Sequence, residues 1–323
     1  MSAHTSLSLA LVGLGSWGQK IARTLNEEIT SASLDFVVTS NENPHDFVLP
    51  HCQVFNSVDA LLSSDVIKVD GVILALPPHL NKAASLKIMA AGIPLFIEKP
   101  MAMSIADATE MLDFARARKA IVAVDHIDLH HSAITQLRRL QPGVPTHLEA
   151  KIGAAYNPRE NWPPLWEYSP HFIAAALEFC GELPDTISSR ALPVDADLSQ
   201  DVLRENIEVT MTFSNGSTAT VVGGNGMAKK TRQMAVTYGN DVYHFVDRED
   251  PDLFVEHLDS GQSQPLSSPN RMPLGLSLES FIAKVQRGQS CCEEFELGLN
   301  VVKILTGADL SRQTKQPVRW SAL

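Results

Sequence analysis

The chain has 323 residues, 44% hydrophobic and 20% charged, with a net charge of -11 at pH 7. That length suits two cores rather than one; the acidic balance excludes a nucleic-acid protein, whose affinity needs a positive surface; and no apolar run reaches the roughly 18 residues of a membrane span. Met1 to Leu11 holds no Lys or Arg, and Cys52, Cys180, Cys291 and Cys292 show no paired zinc or redox spacing, so a cytoplasmic protein with reduced, inert thiols is expected rather than a secreted one.

The first 125 residues alternate apolar strands with helical patterns. Leu7 to Val12 reads as a strand, followed by a glycine-rich turn and a helix carrying Ile21, Ala22 and Leu25 on one side. Leu34 to Thr39 is a second strand, and Gly71 to Leu76 a third, bounded by Pro77 and Pro78. A helix with Ala83, Leu86 and Ala90 at helical spacing stops at Gly92, a residue suited to ending a helix. Pro94 to Ile97 is another buried strand. Ser104 and Asp107 then form a capping arrangement before Ile105, Ala108, Leu112 and Ala115, which share one face. Ile121 to Val124 closes the series. Strands so apolar are buried on both faces, as in a doubly wound parallel sheet between helices.

The second half follows a different pattern. His147 to Ala155 begins a long strand, and Pro170 to Gly181 supplies a helix. Ile207 to Phe213 and Ser217 to Val222 flank Asn215-Gly216, while Met234 to Tyr238 and Val242 to Val246 flank Gly239-Asn240-Asp241; both are hairpin signals. Leu253 to Leu258 alternates again, Gln262 to Pro273 is expected as a loop, Leu278 to Gln286 and Phe295 to Ser311 as helices, and Pro317 to Trp320 as a short strand. The expected organisation is a first domain over residues 1–125 and an α+β domain over residues 126–323 with a large, open, mainly antiparallel sheet, the C-terminal helix able to pack back on the first. In Ile207 to Phe213, Glu208, Thr210 and Thr212 form a polar row, a face open to solvent or to another subunit.

Gly13-Leu14-Gly15-Ser16-Trp17-Gly18 is G-x-G-x-x-G between a strand and a helix, the context in which the pattern reads as a dinucleotide (Rossmann) turn. Gly13 permits the tight turn, Gly15 lets the backbone approach a pyrophosphate, and Gly18 lets the helix pack on the strand. The amides around Ser16 and Trp17 would receive phosphates. A carboxylate at the end of the second strand would select NAD; Thr39, Ser40 and Asn41 stand there instead, with Glu42 just beyond and no Arg or Lys to clamp a 2′-phosphate. NAD and NADP both stay open, with a lean to NADP. Leu76, Pro77 and Glu98, at the ends of later strands, complete the expected cofactor set.

Glu98-Lys99-Pro100 ends a strand on the side where open α/β sheets collect ligands, so Lys99 is a candidate to donate to a reacting oxygen, and Pro100 a candidate cis residue. Together with Gly13 to Gly18 and Glu167-Tyr168-Ser169-Pro170-His171, this set resembles the glucose-fructose oxidoreductase, inositol dehydrogenase and rhizopine-catabolism family along nearly the whole chain. The resemblance implies a hydride-transferring oxidoreductase, most like members acting on sugars and nucleotide sugars, and usually a homo-oligomer paired through the open sheet face. It implies that Lys99 and His171 line the active site, His171 exchanging the hydroxyl proton, with Glu167 where the family has aspartate. His suits such proton transfer near neutral pH, and a carboxylate four residues earlier can orient the imidazole or bind a neighbouring hydroxyl.

His126, His130 and His131 invite a metal reading, but Asp125 and Asp128 are the only acids beside them, so polar packing is preferred and no metal is expected; His126 is a candidate flank of the substrate. Tyr156, Asn157, Arg159, Asn161, Trp162 and Trp166 suit a sugar ring or a loop anchor equally. Lys229, Lys230 and Arg232 could meet a substrate phosphate or carboxylate, but a solvated strand end is the preferred reading. The rival functions are a dinucleotide-sensing regulator without turnover, and reduction of a non-sugar substrate such as an imine or a tetrapyrrole.

Overall fold

A computed structural model describes residues 6–63, 68–140, 143–156, 162–195, 198, 202–247, 250, 252–266 and 271–323. The first strand, β1 (Leu7–Val12), runs into α1 (Ser16–Glu27), then β2 (Ala32–Val38), β3 (Gln53–Phe55), α2 (Val58–Leu62), β4 (Gly71–Leu74), α3 (Pro78–Ala90), β5 (Leu95–Glu98), α4 (Ile105–Arg118) and β6 (Val122–Asp125). The six strands pair in parallel in the order β3-β2-β1-β4-β5-β6. That order reverses direction between β1 and β4, and ligands of such sheets bind at the carboxyl ends beside this switch point. The capping expectation for α4 is met: the Ser104 hydroxyl accepts the Asp107 amide at 3.1 Å.

The chain continues through α5 (Ser132–Leu140), β7 (His147–Gly153), α6 (Pro164–Tyr168), α7 (Pro170–Cys180), β8 (Thr186–Leu192), β9 (Asn206–Thr212), β10 (Thr218–Gly224), β11 (Thr231–Tyr238), β12 (Asp241–Val246), β13 (Leu253–His257), β14 (Gln262–Pro265), α8 (Pro273–Arg287), α9 (Glu293–Thr314) and β15 (Val318–Arg319). The second sheet has nine strands in the order β14-β13-β12-β11-β7-β10-β9-β8-β15. Every pairing is antiparallel except β7 with β10, so β7 separates the two hairpins that the Asn215-Gly216 and Gly239-Asn240 turns announce. Gln262 to Pro265, expected in a loop, is instead an exposed polar edge strand on β13; backbone pairing to β13 holds it, with no apolar row to reveal it.

The described residues form two compact units, 1–127 with 271–302 and 128–270 with 303–323. A single cut at residue 125 does not capture this division, because α8 packs into the first core: Leu278, Phe281 and Ile282 lie among Leu9, Leu11, Ile21, Leu25, Ile73 and Phe96, all buried. The Phe281 and Phe96 rings sit 5.5 Å apart, and burying each side chain contributes about 2–3 kcal/mol. In the second unit α7 is buried along nearly its whole length, and Leu148, Ala150, Ile152, Val209, Met211, Ala219 and Val221 make the buried rows of the sheet. Burial pushes the Cys52 thiol up to about 11 and that of Cys180 up to about 12, so both are inert at neutral pH. No described helix is long and apolar enough to cross a membrane.

Candidate active site

The glycine turn is shaped by steric demands that only glycine meets. Gly13 has φ +98°, and a Cβ there would lie 2.4 Å from the carbonyl oxygen of Ala75. At Gly18 a Cβ would fall 2.0 Å from the Gly13 carbonyl oxygen, so its absence lets α1 close on the strand end. Gly15 is different: nothing lies within 4 Å of its missing Cβ. It is also the N-cap of α1, with no side chain capping the helix and no acid in its first turn. The first amides of a helix have no intrahelical partner and carry the positive end of its dipole. Open space over uncapped amides, with exposed Ser16 beside them, fits the pyrophosphate of a dinucleotide.

The side chains around this turn are tied to it. Asn41 lies just past β2 and its amide donates to the Leu14 carbonyl at 3.5 Å; Gln19 donates to the same oxygen at 3.3 Å. The neighbouring Ser40 is exposed, Leu76 half-buried and Pro77 exposed at the start of α3. The Trp17 indole N–H donates to Glu98, and Lys20 stands 5.0 Å over the Trp17 ring. Glu98 is buried and faces Asp125 across β5 and β6. Burial and the adjacent Asp125 hold the Glu98 carboxyl well above its ordinary range, against the opposing pull of Lys99 and Trp17. Ser277 donates to Asp125 at 2.6 Å. The Glu98 carboxyl and the Trp17 indole are thus engaged with each other, while the Trp17 amide, the group expected at the phosphates, lies in the uncapped first turn of α1.

Lys99 follows β5 and is half-buried, and its peptide bond to Pro100 is cis. Asn81, not among the expected site residues, holds this turn: buried on α3, it donates to the Glu98 carbonyl at 3.5 Å and to the Pro100 carbonyl at 3.3 Å. The signal available was a polar residue on the face of α3 that also carries Ser85 and Ile88, both buried. His126, beyond β6, is 2% exposed.

In the second unit, His171 lies in the first turn of α7 and is 8% exposed. Its Nδ1 is 2.7 Å from the Asp128 carboxylate, and Asp128 is fully buried. The other oxygen of Asp128 meets the Arg232 guanidinium at 3.5 Å. Asp128 and Arg232 were not among the expected site residues, and Arg232 is no solvated strand end: its side chain is 23% exposed and points, like Met234 and Val236, to the buried side of β11. Glu167 sits one turn earlier on α6, half-buried. Of the two readings open for Trp166, the anchor is the one its surroundings favour, since it is 5% exposed and its indole donates to Asp309 on α9 at 2.8 Å. Trp162 is half-buried and Tyr156 exposed, while Asn157, Arg159 and Asn161 lie outside the described residues. The other histidine of interest, His131, packs edge-on to Phe245 and faces Asp247 at 3.8 Å. Among the described residues no three His, Cys, Asp or Glu are grouped to hold a metal ion.

Strand order, glycine turn and uncapped helix together define a Rossmann-type dinucleotide-binding domain. Residues 7–126 match the family described as an oxidoreductase family with an NAD-binding Rossmann fold. Over these residues the chain is similar to the glucose-fructose oxidoreductase, inositol dehydrogenase and rhizopine-catabolism family. It is 29% identical over 240 residues to UDP-N-acetylglucosamine 3-dehydrogenase of Acidithiobacillus ferrooxidans, covering 72% of this chain and 74% of that one. A structure of that dehydrogenase superposes with a TM-score of 0.82 at 21% identity, over 96% of this chain and 99% of the other. A protein from Magnetospirillum magnetotacticum MS-1 matches with a TM-score of 0.85 at 26% identity, over 94% and 100% of the two chains. The scyllo-inositol dehydrogenase of Lactobacillus casei, solved with NAD(H) and scyllo-inositol, shares the fold with a TM-score of 0.79 at 15% identity, over 98% and 100%.

Proposed function

We propose that this oxidoreductase exchanges a hydride between a nicotinamide cofactor and a sugar-like polyol or its ketone, the substrate being a sugar, a cyclitol or a nucleotide sugar. The observation that carries the reading is a buried imidazole held on one nitrogen by a carboxylate, as a base for a hydroxyl proton requires. The bound nicotinamide supplies the acceptor or donor of hydride for the carbinol carbon. The residues of the first unit that would hold the dinucleotide are Gly13, Gly15, Ser16 and Gly18 at its phosphates, with Ser40, Asn41, Leu76 and Pro77 completing the set. Lys99 donates to the reacting oxygen and steadies its negative charge. In the second unit His171 takes the hydroxyl proton in oxidation and returns it in reduction. Glu167 binds a neighbouring hydroxyl, since Nδ1 of His171 already faces Asp128. His126 and Trp162 flank the substrate.

No carboxylate stands directly after β2 to repel a 2′-phosphate, and Ser40 is exposed there, which favours NADP over NAD. Titrating the protein with NADPH and NADH and then assaying cyclitols, aldoses and nucleotide sugars tests the reading. We expect tighter NADPH binding and turnover of at least one polyol; no dinucleotide binding at millimolar concentration, or binding with no turnover across the panel, overturns it. The unshared face of the nine-stranded sheet carries Glu149, Lys151, Glu208, Thr220, Gln233 and His244 around a concavity of about 430 Å³. We assign pairing of two copies to this face, and light scattering that returns only the 35.2 kDa monomer contradicts it. The four cysteines are free thiols, which suits the reducing cytoplasm.

A further inference from the structure

The three groups at His171 come from distant parts of the chain. Asp128 lies in the one-turn helix Ile127–His130 after β6, His171 on α7 and Arg232 at the start of β11. Both oxygens of Asp128 and the Nδ1 of His171 are sealed from solvent. One oxygen stands 2.7 Å from Nδ1 and the other 3.5 Å from the guanidinium. A buried carboxylate is costly unless opposite charge or a hydrogen-bond donor compensates it, and here the Arg232 guanidinium faces one oxygen and the His171 ring nitrogen the other.

We propose that Asp128 and Arg232 are the positioning pair of His171: the carboxylate keeps the imidazole proton on Nδ1, so that Nε2 is the basic nitrogen, and the guanidinium holds the carboxylate in that attitude. This deepens the proposed function and rests on it for its catalytic meaning. An acceptor-only group facing a ring nitrogen requires a proton on that nitrogen. Burial works against the charged form of Asp128, yet Arg232, His171 and His131 together outweigh it and hold its carboxyl below the usual carboxylate range. The group is therefore an anion throughout the working pH range.

Arg232 has a second effect. An unshared buried carboxylate stabilises an imidazolium and makes the base too ready to keep its proton. Sharing the charge with Arg232 limits that rise. Further titratable groups among the described residues of this unit include Glu167, on the helix before α7, and His131, which acts on Asp128 and faces Asp247. The two members of the pair thus act in opposite directions on the same imidazole.

The test is ¹⁵N NMR of the full chain with labelled histidine, the His171 signals assigned by their loss in His171→Gln. The wild type is expected to show a neutral tautomer protonated on Nδ1. In Asp128→Asn the tautomers mix and the His171 pKa falls by about one unit or more. In Arg232→Met the tautomer is kept and the pKa rises by about one unit; Arg232→Lys restores it. With a substrate in hand, the acid limb of kcat/KM moves to lower pH in Asp128→Asn and to higher pH in Arg232→Met, with kcat down about 10²- to 10⁴-fold in Asp128→Asn. An unchanged tautomer and pKa in both folded variants, or shifts in the same direction, overturn the proposal. Should Asp128→Asn fail to fold, the Arg232→Met and Arg232→Lys pair decides it alone. The NMR arms need no substrate, so absence of turnover on every polyol sinks the proposed function without touching this assignment.

Discussion

Gly18→Val raises the dinucleotide Kd by at least about 100-fold, equivalent to about 2.7 kcal/mol, and Gly15→Ala separates the reason. At Gly18 the added Cβ meets the backbone oxygen and carbon of Gly13, 2.0 and 3.0 Å away. Backbone atoms cannot swing aside as a flexible side chain can, so α1 must move off the strand end, carrying the uncapped amides out of line. Overpacking of this kind costs about 1–3 kcal/mol of stability as well, and a lower melting temperature accompanies the loss of binding. At Gly15 the added methyl meets nothing in the protein. Gly15→Ala therefore melts within a few degrees of the wild type, yet it binds dinucleotide at least about tenfold more weakly, because the methyl occupies the space left for the pyrophosphate. Calorimetric titration with NADPH beside thermal unfolding reads both quantities. Wild-type affinity in Gly15→Ala contradicts the assignment of that space to phosphate.

How much of this was legible depends on how local each feature is. The glycine turn, the Glu98-Lys99-Pro100 turn and the capped start of α4 declare themselves within a few residues, because each rests on a backbone or capping requirement of its own segment. The hairpins joining β9 to β10 and β11 to β12 are likewise written in their turns. By contrast β3 is three residues long, and β8 shows no clean alternation, with a single fully buried position, Ile187. Its hold on the sheet comes from pairing with β9 and β15. The insertion of β7 between β10 and β11 has no local signature at all, since parallel pairing leaves no turn behind it.

The same distinction divides the site. His171 was readable as a residue, but its partners were not, because burial of an acid beside an imidazole is a tertiary fact. Arg232 did leave a trace: it falls in the two-residue period of Met234, Val236 and Tyr238, the buried row of β11, and an arginine in such a row needs an anion. Trp166 shows the limit from the other side. An aromatic loop composition fits a sugar platform and a structural anchor equally, and Asp309, which accepts its indole proton, lies far along the chain on α9.

His171→Ala lowers kcat by about 10²- to 10⁴-fold, the usual worth of a positioned proton acceptor, while the dinucleotide Kd changes by less than about twofold. The two readouts part because the imidazole belongs to the second unit and the glycine turn to the first. The substitution also leaves the sealed Asp128 carboxylate with Arg232 as its cationic neighbour, and a buried acid that loses a partner costs about 1–3 kcal/mol. A fall in melting temperature is thus expected, and activity must be measured well below the new transition so that unfolding does not mimic lost chemistry. Residual turnover in the variant should rise with hydroxide concentration, since bulk base replaces the missing one. Added imidazole should restore part of the rate by filling the vacated volume beside Asp128. A folded His171→Ala protein whose kcat lies within about threefold of the wild type, with no response to imidazole, removes His171 from the reaction and leaves Lys99 to be tested as the proton carrier.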